Sequence, residues 1–194
     1  IYDQRHSVLA ARARADFYAA ELGGEKVIVH SYGKLSGDAS EMNERAIYAG
    51  RGRQHLDFFY HIDHVGKKTK AEIDLKGALA DESKKIFRGT LDFKRGCAGS
   101  VGDEGDFAIQ LDPKTKNISL PLLLCTEDDV QGNHASSAGQ LDQNTIYFLM
   151  SRGFTLEEAR RIVVEALIRP IIDGMDETIR EEALTAVREK LDRE

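Results

Sequence analysis

The chain has 194 residues, with 27 Lys and Arg against 33 Asp and Glu, giving a net charge of −6 spread along its length. That length supports one domain with a substantial core, or one domain with a small appendage. No basic run stands out, so the electrostatic footprint of a nucleic-acid binder is missing. No apolar run approaches the roughly 18 residues that cross a bilayer. Two cysteines, Cys97 and Cys125, are too few for a disulfide-stapled secreted fold. Free thiols in a reducing compartment are most often packing residues, and the expected localisation is cytoplasmic. Position 1 is Ile1, not Met, and the opening residues read as the inside of a domain, so an N-terminally trimmed chain is expected.

In chain order, short alternating runs recur at residues 15–21, 26–31, 39–48, 54–63, 70–79, 84–93, 106–111 and 118–125. Glycines punctuate the joins, including Gly23, Gly24, Gly50, Gly52, Gly66, Gly96, Gly99, Gly102 and Gly105. Regular short strands bounded by turn residues indicate a sandwich, a barrel or a solenoid. No Asn-Gly or Asp-Gly hairpin signal lies between these runs, and runs such as 69–75 carry bulky polar residues on one face. Both features favour a β-solenoid, with one face of each strand buried against stacked coils and the other wet.

After position 140 the period changes to about 3.6. Ile146, Leu149 and Met150 form a short apolar face. Thr155 and Glu158 have the spacing of a capping box, in which hydroxyl and carboxylate each satisfy a free backbone N–H at the helix start. Ala159, Ile162, Val163, Ala166 and Leu167 then recur at helical spacing, and Pro170 is expected to close the run. A last helix is expected near Asp176, with Ile179, Ala183, Leu184, Val187 and Leu191 on one face. The expected division is a β core over residues 1–139 and a helical segment over 140–194.

The densest cluster of candidate chemistry lies at residues 54–64. On a strand His55, Asp57, Phe59, His61 and Asp63 share one face, and Leu56, Phe58, Tyr60 and Ile62 form the core face. Imidazole and carboxylate two residues apart, about 7 Å along a strand, suit zinc or ferrous iron. The same residues also fit an exposed polar ladder hydrogen-bonded across coils. Cys125 and His134 form a second candidate, because thiolate and imidazole are donors for iron, iron–sulfur clusters or zinc. By pattern alone Cys125 closes an apolar strand and reads as packing, whereas His134 sits among Asn133, Ala135 and Ser136 and is accessible. No phosphate-cradling Gly-Lys-Ser/Thr loop and no Gly-x-Ser-x-Gly elbow is present, and nothing specifies a nucleophile with its base. Asp103 and Glu104 read as a solvated acidic pair in a glycine-rich loop.

Three segments together carry a family resemblance. Gln54, His55, Leu56 and Asp57, with His61 and His64, form a histidine-rich strand. Phe87, Gly89, Leu91 and Asp92 match a "Y-K-G-I-L-D-G" segment. Residues 127–139 resemble an "A-D-D-V-x-C-S-H-G-A-T-V-G" signature, and residues 140–160 follow with matching helices. On these motifs the chain resembles the SufB/SufD scaffold proteins of the SUF iron–sulfur assembly system, SufD-like or a minimal single-scaffold variant. The resemblance covers nearly the whole chain, and residues 127–160 are its specific part.

The resemblance implies a mainly β fold, a right-handed parallel β-helix followed by a small C-terminal helical segment. It also implies a non-enzymatic assembly scaffold that works with a SufC-type ABC ATPase and pairs with a second scaffold subunit, a paralogue or a copy of itself. The cargo implied is iron or a transient iron–sulfur cluster that does not stay bound on isolation, with His134 matching the family histidine and Cys125 beside it. Partner contacts are expected at Arg152, Glu158, Arg160, Ile162, Val163 and Leu167. Gly132 stands where many SufD-like members have a cysteine, and Ala135 where SufB has a glutamate. The upstream SufB cysteine has no equivalent. The competing expectation is a metal-dependent enzyme on a β-solenoid or cupin-like barrel, with His55, Asp57 and His61 as the metal site.

Overall fold

The computed structural model describes residues 1–192. Ten strands come first: β1 (Tyr2–Leu9), β2 (Arg14–Glu21), β3 (Lys26–Leu35), β4 (Glu41–Gly50), β5 (His55–His64), β6 (Lys70–Leu79), β7 (Lys84–Phe93), β8 (Ser100–Gln110), β9 (Lys116–Cys125) and β10 (Val130–Gln140). Three helices follow: α1 (Gln143–Ser151), α2 (Leu156–Ile172) and α3 (Glu177–Leu191). Odd strands pair in the order β1-β3-β5-β7-β9 and even strands in the order β10-β8-β6-β4-β2, every pairing in parallel. The result is a parallel β-solenoid of about five turns, each turn placing one strand in each sheet.

The turn length drifts, which hides the repeat from the sequence. Partners are Tyr2↔Ile28 at one end and Phe87↔Ser119 near the other. Most corners carry a residue with positive φ, stacked on its equivalent in the next turn. Arg12, Ala39, Lys68 and Gly99 line one corner, and Gly24, Gly52 and Asp81 line the other. The first column is stitched by Arg12 N–H to Asp38 O at 2.9 Å, Ala39 N–H to Lys67 O at 2.8 Å and Lys68 N–H to Ala98 O at 3.0 Å. A left-handed conformation at a residue with a Cβ costs about 1–2 kcal/mol, partly offset by the stiffer unfolded chain. Ala39→Gly is therefore expected to stabilise the fold by about 0.5 kcal/mol, read as an increased urea midpoint. A lowered midpoint would show that the corner does not store this strain.

The inner faces supply the core. Val27, Val29, Leu56, Phe58, Tyr60, Ile62, Ile73, Leu75, Phe87, Leu91 and Phe93 lie between the sheets, each at most 1% exposed. The alternation expected at residues 54–63 holds, with Leu56, Phe58, Tyr60 and Ile62 pointing inward. Two strands are longer or newer than the alternation indicated. β8 starts at Ser100, so Gly102 and Gly105 are strand residues and not turn markers. Gly102 is needed for space: a Cβ there would lie 2.9 Å from Leu91 and 3.0 Å from Phe93. β10, built from small and polar residues, has no hydrophobic alternation and forms through its pairing with β8.

The helices cover the outer face of the even-strand sheet. Ile47 of β4 packs with Ile168, Ile171, Ile172, Met175, Ala183, Leu184 and Val187. The Thr155–Glu158 capping box forms as expected, and Asp176 caps α3. Two details differ. Pro170 lies inside α2, which continues to Ile172. The buried face of α2 is Ala159, Val164 and Ile168, so Ile162, Val163 and Leu167 are half-buried and Ala166 is exposed. Consecutive apolar residues make two faces of this helix eligible for burial, and contact with Ile47 selects one. Among the described residues no helix is long and apolar enough to cross a membrane.

Candidate functional site

β9 and β10 are the edge strands of their sheets, so the last turn of the solenoid exposes its inner rows. The buried row of β7, Lys85, Phe87, Gly89, Leu91 and Phe93, continues in register into Asn117, Ser119, Pro121, Leu123 and Cys125 of β9. The buried row of β8, Ser100, Gly102, Glu104, Asp106 and Ala108, continues into Val130, Gly132, His134, Ser136 and Ala138 of β10. Cys125 and His134 thus stand on the inner rows of one turn, on opposite sheets, and both are exposed. The sequence sets them nine positions apart across a turn at Glu127, Asp128 and Asp129, without indicating that both face inward.

The floor of this open end is polar. Glu104, the register partner of His134, is 3% exposed, and neither carboxylate oxygen has a hydrogen-bond partner. Burial, reinforced by the neighbouring Asp106 carboxylate, pushes its pKa up to about 8, so it holds a proton at neutral pH. Asn117 Oδ1 and Ser119 Oγ are also buried and without partners. Buried polar atoms usually find partners, so these oxygens of the last turns are free to accept one. The sequence reading set Glu104 with Asp103 in a solvated loop; it is instead a buried residue of β8. The available signal was the two-residue spacing of Glu104 and Asp106, which places both on one face of a strand.

Other inner-row groups frame the mouth. A Cβ at Gly132 would sit 3.1 Å from Phe93 and 3.4 Å from Leu123, so this position of the inner row has little spare room. The Cys97 thiol is buried, and burial pushes its pKa up, aided by Glu127 and Cys125 and opposed by Ser100. His64 accepts burial by staying neutral: desolvation lowers its pKa to about 4. Its Nδ1 lies 2.7 Å from Thr69 Oγ1, and its ring stacks on Phe93 with centroids 4.3 Å apart.

The histidine-rich strand is organised differently from the spacing expectation. His55 and His61 are six residues apart, about 20 Å along an extended strand. Asp57 pairs with Arg88, and His55 lines a surface groove with Arg53, Lys84 and Lys116. His61 Nε2 lies 3.0 Å from Asp63 Oδ1, and with Asp92 these side chains form a group whose ligand atoms lie within 4.8 Å of one another. His55 and Asp57 lie outside that group. Burial opposes ionisation of Asp63, but hydrogen bonds from Tyr32 and His61 and the charge of Lys94 hold its carboxyl below the usual range.

On the helices, Arg152 is exposed and its guanidinium lies over Phe148 at 5.1 Å. Glu158 is committed to the capping box, and Arg160 faces Glu157 at 3.9 Å. The sequence reading missed the apolar residues exposed around α1, led by Tyr147 at 76% and Phe148 at 55%, with Met150, Phe154 and Leu156 beside them.

By class the fold is a parallel β-solenoid of about five turns followed by three helices. The chain belongs to the SufBD family: the model described as "SUF system FeS cluster assembly, SufBD core domain" matches residues 1–167. It is 30% identical to the Bacillus subtilis iron-sulfur cluster assembly protein SufD over 81% of this chain and 36% of that protein. It is 26% identical to an iron-sulfur cluster assembly SufBD family protein of Mycobacterium leprae over 96% of this chain and 50% of that protein. The Bacillus subtilis SufB protein matches at 23% over 86% of this chain and 36% of its own length. The chain therefore spans about a third to a half of these relatives.

Proposed function

We propose that this chain is a scaffold subunit for iron–sulfur cluster assembly, with iron or a nascent cluster as cargo at the open end of the solenoid. The observation that carries this is the placement of Cys125 and His134 on the inner rows of the last, uncovered turn. Thiolate and imidazole are suitable donors for iron, and an iron centre needs more ligands than these two. A second scaffold subunit, a paralogue or another copy, supplies the remainder. The unpaired edges of β9 and β10 support that pairing, as does the outward stripe of Ile118, Leu120, Leu122 and Leu124, each at least 39% exposed.

The helical segment, residues 140–194, receives a SufC-type ABC ATPase in the cytoplasm. Arg152, Glu158, Arg160, Ile162, Val163 and Leu167 contribute, together with the exposed aromatic residues of α1. The ATPase supplies the chemical work and the scaffold none of its own. Half-buried apolar side chains left over from packing on Ile47 support this assignment.

Anaerobic reconstitution with ferrous iron and sulfide, followed by absorbance in the cluster bands, tests the reading. The wild-type chain is expected to take up iron and develop those bands, and a Cys125→Ser/His134→Ala double variant is expected to lose most of both. Equal uptake by the two proteins would remove Cys125 and His134 as ligands.

A further inference from the structure

Outside the open turn, the odd-strand sheet carries a second group of donors on its outer face. Asp63 of β5 and Asp92 of β7 are register partners in adjacent parallel strands, so the ladder sets their carboxylates about 4.8 Å apart. His61 lies two residues before Asp63 on the same face and reaches it at 3.0 Å through Nε2. The side chains are 10% exposed at Asp63, 9% at Asp92 and 20% at His61, so the donors are largely withdrawn from solvent while the site stays open on one side. Tyr32 stacks on the His61 ring at 5.2 Å and donates its hydroxyl to Asp63, fixing both side chains.

Two carboxylates this close and this dry repel each other unless a cation lies between them. Lys94 provides one, pairing with Asp92 and lying 3.5 Å from Asp63. Its side chain is 44% exposed and its stem is flexible, so the ammonium can leave without disturbing the sheet.

We propose that His61, Asp63 and Asp92 form an exchangeable site for a divalent transition-metal ion of the zinc or ferrous iron class, with Lys94 as its tethered competitor. One imidazole nitrogen and two carboxylate oxygens select this class over magnesium or calcium, which prefer all-oxygen shells. Ligand atoms around tetrahedral zinc lie about 3.4 Å apart, so a group already within 4.8 Å closes by small rotamer changes. When the ion enters, Lys94 swings to solvent, and the two carboxylate charges are neutralised by one divalent ion. This site shares no residue with the open turn and stands whether or not a cluster is assembled there.

Zinc titration by calorimetry tests the site, using the full chain with Cys125→Ser and His134→Ala already in place so that the open turn cannot contribute. One saturable site is expected. His61→Gln and Asp92→Asn should each weaken it by about tenfold or more, with circular dichroism showing an intact fold. Lys94→Gln should tighten it by about tenfold, a gain that no loss of structure can mimic. Equal affinity across the His61 and Asp92 variants would mean that zinc binds scattered surface imidazoles, and the proposal falls. It also falls if neither the parent nor the Lys94→Gln protein binds zinc saturably. Cluster reconstitution on the chain with Cys125 and His134 restored is read separately, so either result can fail alone.

Discussion

Asp106→Ala is expected to destabilise the chain by about 3–5 kcal/mol, a large part of the stability of a domain this size. Asp106 pairs with Lys85 between the two sheets, where the side chains are 1% and 0% exposed. Lys85 Nζ also lies 3.2 Å from the Tyr48 hydroxyl and over the Tyr48 ring at 4.8 Å. Burial lowers the Lys85 pKa, and Asp106 opposes that shift. Removing Asp106 leaves an ammonium in a dry interior with a phenol as its remaining neutral partner. Replacing both members by apolar residues, Lys85→Met with Asp106→Leu, should recover most of the loss, because that removes the desolvation penalty together with the pair. Urea midpoints of the three proteins decide it. A loss under 1 kcal/mol for Asp106→Ala would show that water reaches this pair.

Glu104→Gln is expected to change how stability depends on pH. Glu104 has its pKa raised to about 8 by burial and by Asp106, so the folded chain keeps a proton that the unfolded chain releases above its ordinary pKa of 4.5. Its contribution is complete below that value and is lost as pH rises through 8. His64, lowered to about 4 by burial, has the opposite sign: the unfolded chain binds the proton first, so stability is lost as pH falls from 6.5 toward 4. Between about pH 4.5 and 6.5 the two slopes cancel. The wild type should then lose about 2 kcal/mol between pH 6.5 and 8 through Glu104. The Gln variant should instead gain stability from pH 4.5 to 6.5 and stay level above it. Parallel curves for the two proteins from pH 5 to 8 would mean that Glu104 is ionised in the fold.

Several features were readable without coordinates because they are local. The alternation over residues 54–63 assigns Leu56, Phe58, Tyr60 and Ile62 to the core, since side chains on a strand alternate regardless of what surrounds them. The Thr155–Glu158 box starts α2 by the same local chemistry, and Asp176 starts α3. Residues 127–160 carry the family resemblance, and the match over residues 1–167 agrees with it.

Other features depend on which turns stack, and no local pattern encodes that. β10 is a strand only because β8 lies beside it, and its small polar residues give no alternation of their own. Lys85 follows another lysine in sequence, and the pairing of sheets is what places it opposite Asp106. Asp63 and Asp92 are 29 positions apart, yet the ladder makes them neighbours, and it separates His55 from His61 along one strand. Sequence by itself determined the solenoid class, the inward face of residues 54–63 and the starts of α2 and α3. Tertiary structure decided that Cys125 and His134 stand on inner rows, that Glu104 lies beneath His134 unpartnered, and that His61 joins two aspartates. The physical reason is register: periodicity says which way a side chain points, while the length of each turn and the stacking of its corners decide what it meets.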